Sequence, residues 1–164
     1  VIDADMRKPA ICKMLDIPKE QVTDMVRLLQ GECGLDQTMY RDRQGLNLVM
    51  STKGHSSTYE FVKSGAMKDL IKKCRKFADF VIIDTPPMSM LSDTEALLDD
   101  VDFSLLVIRQ DFSYEKDIEN CINIMNDADS QFLGCILNDY KKFKIRETAS
   151  VFKNFEDGEE VTHE

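Results

Sequence analysis

Three acidic residues stand where two apolar segments end, and their types and spacing suggest a site for a divalent cation. Asp3 and Asp5 end the apolar start of the chain, and Asp84 follows the uninterrupted apolar run 80–83. In an extended chain residues i and i+2 point to the same side, so the carboxylates of Asp3 and Asp5 face one site. Mg²⁺ takes one or two carboxylates from a protein and completes its shell with water and phosphate oxygens. The pattern therefore predicts phosphoryl-transfer chemistry.

Each acidic segment also has a simpler interpretation. Asp84 precedes Thr-Pro-Pro and would then only begin a turn. Asp3 and Asp5 precede Arg7 and Lys8, which would neutralise an acidic turn. Both alternatives stay open from the residues alone.

The elements that must position these residues are apolar strands alternating with amphipathic helices. Such alternation, without hairpin signals, predicts βαβ units and therefore a doubly wound α/β fold whose mostly parallel sheet has helices on both faces. Open sheets of this kind bind ligands at the carboxyl ends of their strands, where the three Asp residues are expected. Strands are predicted over Val1–Ala4, Leu46–Met50, Phe80–Pro87, Asp102–Ile108 and Phe132–Leu137. Helices are predicted over Ala10–Leu15, Ile17–Gly31, Tyr59–Phe77 with a break near Ser64, Ser92–Leu98 and Ser113–Asp127. Phe80–Pro87 and Phe132–Leu137 are expected to be buried strands.

Composition bounds the possible partners. The 164 residues carry a formal net charge of −9, which argues against non-specific binding to nucleic acid or direct attraction to an anionic membrane. No apolar run approaches the roughly 20 residues of a membrane span. The five cysteines form no C-x-x-C pair and are expected to be reduced, most of them buried, in a cytoplasmic protein. His55, in the polar segment 51–58, is interpreted as a solvated loop residue, because no catalytic partner can be named for it.

Domain organisation follows from the same pattern. Residues 1–140 are interpreted as one domain, and residues 141–164 as a polar, acidic C-terminal tail. The first residues read as the middle of a strand, so we expect the chain to be a piece of a longer domain. A phosphate cradle of the form G-x-x-x-x-G-K-[ST] is absent from the 164 residues, because their glycines are scattered singly.

Two motifs resemble those of the bacterial tyrosine kinases of capsule and exopolysaccharide synthesis, which are deviant-Walker members of the P-loop NTPase superfamily. VIDADMRKP at residues 1–9 is similar to the Walker A′ motif of that family, and VIIDTPP at residues 81–87 is similar to its Walker B motif. Shorter matches in the same order are GLD at 34–36, NL at 47–48 and GCILN at 134–138. The Asp-Ala-Asp-x-Arg-Lys-Pro form is the specific part, and the similarity extends to about residue 140.

The resemblance implies an ATP- and Mg²⁺-dependent protein-tyrosine kinase that phosphorylates itself and regulates capsular or exopolysaccharide polymerisation and export. By position, Asp3 would activate the hydroxyl group, Asp5 and Asp84 would hold hydrated Mg²⁺, and Asn138 would lie near the adenine. Whether Asp3 or Asp5 is the base stays open, so both count as catalytic and metal residues. The implied partner is a membrane-embedded chain-length regulator, with self-association possible. The implied location is the cytoplasmic side of the plasma membrane, reached through that partner or a fused membrane segment.

This sequence departs from the family pattern in three places. The Walker A loop and its strand are absent, the Pro-rich loop of the family is replaced by Thr52–Thr58, and no tyrosine follows Tyr140. Two other functions therefore stay open. One is a partitioning or division-site ATPase, and the other is a non-catalytic regulatory homologue in polysaccharide export.

Overall fold

Helices separate most of the strands along the chain, as the sequence predicts. A computed structural model describes residues 1–89 and 92–141. In chain order the elements are β1 (Ile2–Asp3), α1 (Ile11–Met14), α2 (Met25–Leu29), α3 (Leu35–Thr38), β2 (Tyr40–Arg41), β3 (Asn47–Leu48), α4 (Thr58–Val62), α5 (Gly65–Cys74), β4 (Ile83–Asp84), α6 (Ser92–Glu95), β5 (Phe103–Arg109), α7 (Glu115–Asp127) and β6 (Gln131–Asn138). Apart from Lys141, the tail predicted for residues 141–164 lies outside the described residues.

Strand β1 has neighbours on both sides. It pairs in parallel with β4, which places Asp3 opposite Asp84, and it forms a parallel bridge to Val49 on its other side. The N–H groups of residues 2 and 4 donate to the carbonyl oxygens of residues 82 and 84, each over 2.8 Å. The N–H group of Asp3 donates in the opposite direction, to Val49 over 2.9 Å. This pairing brings the two predicted acidic strand ends to the same edge.

The second parallel pair is β5 with β6, which are paired from Phe103 opposite Gln131 to Arg109 opposite Asn138. Helix α7 packs against both strands. The side chains of β5 alternate, with residues 104, 106 and 108 buried or half-buried and residues 103, 105 and 107 exposed. Among the described residues this strand is therefore covered on one face only.

The predicted complete burial of two strands is wrong for the described residues. Phe80 and Ile82 are 85% and 63% exposed, and Leu133, Ile136 and Leu137 of β6 are about half exposed. A strand is buried on both faces only when other elements cover both faces. The ladder of β4 is two residues long and has β1 as its partner. The apolar run does contain a strand, as predicted, but it is far less buried than its composition indicates.

A hairpin is a second departure from prediction. Strands β2 and β3 pair antiparallel, with Tyr40 opposite Leu48. The turn between them is fixed by Asp42, whose Oδ1 accepts the N–H groups of Gln44 and Leu46 over 2.9 and 2.7 Å. Gly45 adopts a φ of 88°, which favours glycine. Strands of two residues carry no readable alternation, so no hairpin signal is visible in the sequence.

Of two helix predictions, one is confirmed by the structure and one is largely wrong. The break predicted near Ser64 is confirmed, because Ser64 caps α5 by accepting the N–H of Met67. The helix predicted over Ile17–Gly31 is largely wrong, since this stretch holds a short 3-10 turn and the five-residue α2. Asp24 interrupts it by capping α2.

The main core lies around β1 and joins it to α2, α4 and α5. Its buried members are Ile2, Ala4, Met6, Met25, Val26, Leu29, Val49, Val62, Met67, Leu70, Ile71 and Leu97. Each fully buried aliphatic side chain contributes roughly 1.5–3 kcal/mol relative to exposure. This core packs against β1, at whose end Asp3 lies opposite Asp84.

Asp24 and His55 fix the loop 51–57 against the start of the chain. The Oδ2 atom of Asp24 accepts the N–H and hydroxyl groups of Thr52 over 2.8 and 2.9 Å. Burial raises the pKa of Asp24, but these bonds and the one from Val26 outweigh it and hold the pKa below its ordinary value. His55 Nε2 lies 3.3 Å from Asp24 Oδ1 without hydrogen-bond geometry, and the His55 side chain is 17% exposed. The prediction of a solvated His55 is therefore wrong, because the loop packs inward.

All five cysteines are free, and two of them, Cys12 and Cys121, are buried. The prediction that most of the cysteines are buried is wrong, because Cys33 and Cys74 are half-buried and Cys135 is exposed. Within the described part of the chain, no helix has both the length and the apolar character that crossing a membrane requires.

Replacing Gly54 by Ala is expected to destabilise the fold. A Cβ atom at this position would lie 2.7 Å from the carbonyl oxygen of Arg7, a backbone atom that cannot swing away. Overpacking of this kind typically costs about 1–3 kcal/mol, measurable as a lower midpoint of chemical denaturation. The matched control is Gly65→Ala, where nothing lies within 4 Å and helix propensity favours Ala by up to about 1 kcal/mol. Equal stability of Gly54→Ala and the wild type would contradict the close approach.

Candidate functional site

The acidic edge is formed by the ends of β1 and β4. Asp3 is the last residue of β1 and Asp84 the last residue of β4, and the two are direct partners in the parallel ladder. Asp5 follows two residues after Asp3 and is half-buried. The structure therefore brings together the three carboxylates that the sequence singles out.

Asp3 is the most unusual of the three, because its side chain is completely buried and neither carboxylate oxygen has a hydrogen-bond partner. Burial, followed by the charges of Asp84 and Asp5, raises the pKa of Asp3 to about 7. The backbone amides of Ile11 and Asp5 approach it and offset part of this rise in pKa, but neither reaches hydrogen-bonding geometry. An unpartnered buried carboxyl group is costly to the fold, and such groups are typical of functional sites.

Asp84 and Asp5 differ from Asp3 in their surroundings. Desolvation of the carboxyl group, and after it the charge of Asp5, raises the pKa of Asp84, although the residue as a whole is exposed. Asp5 is restrained by a local bond, in which its Oδ1 accepts the N–H of Lys8 over 3.0 Å. The three carboxylates thus repel one another, and a cation between them would relieve the repulsion.

Whether these residues fit a metal ion depends on the ligand set. Among residues 1–89 and 92–141, no three Asp, Glu, His or Cys side chains are arranged as a ready ligand set. A Mg²⁺ site of the phosphoryl-transfer type needs fewer, because water and phosphate oxygens supply the rest. The two orphaned oxygens of Asp3 and the adjacent Asp84 fit such a site. These residues and Asp5 are the groups in the described chain that would hold a cation.

The predicted adenine neighbour, Asn138, lies elsewhere in the fold. It ends β6, is exposed and pairs in register with Arg109 of β5. Its side-chain oxygen accepts the N–H of Asp139 over 2.8 Å. The Arg109 guanidinium donates to Asp139 Oδ2 over 3.0 and 3.1 Å. No hydrogen bond joins Asn138 to the acidic edge among the described residues.

Sequence reasoning missed the partner of Arg7. The Arg7 guanidinium donates to the carboxylate of Asp93 from two nitrogens, over 3.0 and 3.3 Å. The interpretation in which Arg7 neutralises the adjacent Asp3 and Asp5 is thus wrong in its main contact, although the charge of Asp5 also acts on Arg7. No signal in the sequence pairs two residues that are 86 positions apart.

Replacing Asp3 by Asn is expected to change the pH dependence of stability. The ordinary pKa of an Asp carboxyl, 3.8, applies to the unfolded chain, whereas the folded carboxyl stays protonated up to about pH 7. The wild type therefore loses stability as pH rises through this window. A tenfold change in the ionisation constant is worth about 1.4 kcal/mol, so a few kcal/mol is the upper bound of the loss. Above pH 7, Asp3→Asn should unfold at a higher temperature than the wild type, with the gap closing towards pH 4.

The matched control is Asp69→Asn, at an exposed position on α5. It should leave the pH profile of the melting temperature unchanged. Parallel profiles for Asp3→Asn and the wild type between about pH 4 and 8 would show that Asp3 titrates normally.

Comparison with known proteins gives relatives of one kind. No family model matches the chain. The chain is similar to the kinase domain of VpsO, with 30% identity and a TM-score of 0.77, over 85% of this chain and 69% of that domain. The tyrosine-protein kinase CpsD of Streptococcus pneumoniae is 26% identical over 139 residues, which are 84% of this chain and 61% of CpsD. The tyrosine-protein kinase ptk of Acinetobacter johnsonii is 26% identical over 143 residues, which are 87% of this chain and 19% of ptk.

The chain therefore spans less than two thirds of the length of these two curated relatives. The similarity to the VpsO kinase domain covers a larger share of the relative's length. It confirms the predicted α/β fold of the P-loop NTPase type. The motif resemblance at residues 1–9 and 81–87 agrees with it, since both motifs contribute carboxylates to the acidic edge. The chain belongs to the family of bacterial tyrosine kinases of capsule and exopolysaccharide systems.

Proposed function

We propose that the whole protein is an ATP- and Mg²⁺-dependent protein-tyrosine kinase that phosphorylates itself and thereby regulates the polymerisation and export of a capsular polysaccharide or exopolysaccharide. The observation that carries this proposal is the buried, unpartnered carboxyl group of Asp3 in register with Asp84. The relatives support phosphoryl transfer to tyrosine as the reaction, because CpsD and ptk are named as tyrosine-protein kinases.

In this proposal Asp3 is the group that accepts the proton of the tyrosine hydroxyl. A general base works best when its pKa lies near the working pH, and the pKa of Asp3 at about 7 meets that condition. The hydroxyl oxygen attacks the γ-phosphorus of ATP, the bond from that phosphorus to its bridging oxygen breaks, and ADP leaves. Asp5 is the other candidate for the base, and its hydrogen bond from Lys8 favours a role as a fixed anion instead.

Asp84 and Asp5 are proposed to hold the hydrated cation through their carboxylates. When bound, Mg²⁺ would neutralise the charge on the phosphate oxygens during transfer. The raised pKa of Asp84 supports this role, because a carboxylate that is disfavoured without a counter-ion gains most from a cation. Asn138 is proposed to lie near the adenine, at the carboxyl end of the other parallel pair.

The whole kinase also needs a phosphate cradle, and we propose that a segment outside residues 1–164 supplies it. The exposed apolar side chains on β5, and at residues 80 and 82 before β4, support the presence of a further element that covers them. The proposed partner is a membrane-embedded chain-length regulator, which would keep the kinase at the inner face of the plasma membrane. This assignment rests on the family alone.

Replacing Asp84 by Asn in the whole protein should abolish phosphotyrosine formation. Loss of one metal-side carboxylate removes electrostatic stabilisation of the transferring phosphoryl group, so labelling should fall by more than about a hundredfold. Mass spectrometry of the purified protein after incubation with ATP and Mg²⁺ measures this directly.

Asp69→Asn on the exposed face of α5 is the control and should label like the wild type. A wild type that hydrolyses ATP without forming phosphotyrosine would favour a partitioning-type ATPase. A wild type with neither activity would favour a non-catalytic regulator.

Residues 1–164 alone should bind ATP weakly, because they contain no G-x-x-x-x-G-K-[ST] loop whose amide groups and lysine hold the phosphates. Calorimetric titration with ATP and Mg²⁺ is expected to give no saturation at micromolar concentration. A micromolar dissociation constant would show that another part of this chain forms the cradle.

A further inference from the structure

A half-buried ion pair lies beside the acidic edge. Asp93 is 2% exposed and receives two hydrogen bonds from the Arg7 guanidinium, while the Arg7 side chain is 33% exposed. The hydroxyl of Thr58, which is fully buried at the start of α4, also donates to Asp93 Oδ2. A further hydrogen bond runs from the Arg7 guanidinium to the carbonyl oxygen of Ser56 over 3.3 Å. Bidentate pairs of this kind fix the relative orientation of the two side chains in addition to pairing their charges.

The pair links the turn that carries Asp5 to helix α6, which is itself bonded to the turn after Asp84. Arg7 lies in the turn after β1, in which Lys8 donates to the carboxylate of Asp5. Asp93 lies in α6, and its neighbour Thr94 donates through its hydroxyl to the carbonyl oxygen of Pro86 over 2.8 Å. Pro86 stands two residues after Asp84 in the chain. A continuous set of contacts therefore leads from the turn of Asp5 to the turn of Asp84.

Charge keeps this connection intact. Burial raises the pKa of Asp93, but the hydrogen bonds from Arg7 and Thr58 outweigh it, so that its pKa lies below the ordinary value. The hydrogen bond to Asp93, together with the charges of Asp93 and Asp5, raises the pKa of Arg7 and outweighs the opposing effect of desolvation. Both groups are therefore charged at neutral pH. Removing one would leave the other as an uncompensated charge.

We propose that Arg7 and Asp93 are positioning residues that set the distance between the carboxylates of Asp5 and Asp84 and so determine the affinity of the acidic edge for a divalent cation. This inference rests on the metal site of the proposed function. A pair that only stabilised the fold could lie anywhere in the core. This pair instead links the turn of Asp5 to α6, which is bonded to the turn after Asp84, and among the described residues no side-chain hydrogen bond joins the two turns directly.

The test is a titration of the whole protein with Mn²⁺ alone, followed by water-proton relaxation. Affinity that is lost in Asp84→Asn defines the site and separates it from background binding to an acidic protein. Arg7→Gln and Asp93→Asn should weaken this site-specific affinity by about tenfold, the usual effect of removing a group that orients a ligand. Arg7→Lys keeps the positive charge but loses the bidentate hydrogen bonding of the guanidinium. It should therefore weaken Mn²⁺ affinity less than Arg7→Gln does.

Arg75→Gln is the matched control, because Arg75 forms an exposed ion pair with Asp102 at the same distance of 3.0 Å. It should bind Mn²⁺ like the wild type. Thermal unfolding of each variant shows whether it is folded at the titration temperature. If Arg7→Gln is not folded, Arg7→Lys carries the test, since it leaves no uncompensated charge at Asp93.

The outcomes separate the two levels of inference. If the wild type and Asp84→Asn bind Mn²⁺ equally, the metal site of the proposed function fails. If Asp84→Asn loses binding while folded Arg7→Lys and Asp93→Asn keep the wild-type affinity, the site stands and the positioning role is overturned. Weakened binding in folded Arg7 and Asp93 variants, with Arg75→Gln unchanged, supports the positioning role.

Discussion

The backbone bonds of residues 1–4 are the constraint on which the rest of the structure depends. Because β1 donates alternately to β4 and to Val49, it is held from both sides and cannot shift its register without breaking both sets of bonds. That register places Asp3 in the protein interior, opposite Asp84. The core around β1 then excludes water from one side of the carboxylates, which is why the pKa values of Asp3 and Asp84 rise.

An arrangement of this kind separates stability from function. The apolar core and the Asp24 network stabilise the fold, whereas the acidic edge destabilises it, since the buried carboxyl group of Asp3 has no partner and therefore disfavours the folded state. Active sites commonly contain such groups, because a polar group that is already satisfied within the fold is not free to bind a ligand. The Arg7–Asp93 pair lies between these two categories, as it is well hydrogen-bonded and yet adjacent to the unsatisfied edge.

Local sequence patterns predict part of this structure. They fail where contacts between segments remote in the chain determine burial or packing. The meeting of Asp3 and Asp84 is predictable, because parallel strands end at one edge. The break before α5 is predictable from Ser64. The exposure of Phe80 is not, because burial depends on what covers a strand rather than on its own residues. The inward packing of His55 likewise depends on Asp24, a residue remote from it in the chain. Residue roles at the acidic edge stay predictions.

The 86-residue separation between Arg7 and Asp93 has a consequence for how the protein folds. A contact so remote in sequence closes a long loop, and other interactions must offset the conformational entropy that this closure costs. The acidic edge likewise is complete only when β1 and β4 have paired, even though each strand end carries its own Asp. A molecule in which β4 has not paired with β1 would hold no paired carboxylates at this edge. Cation binding at this edge would therefore report that β1 and β4 have met.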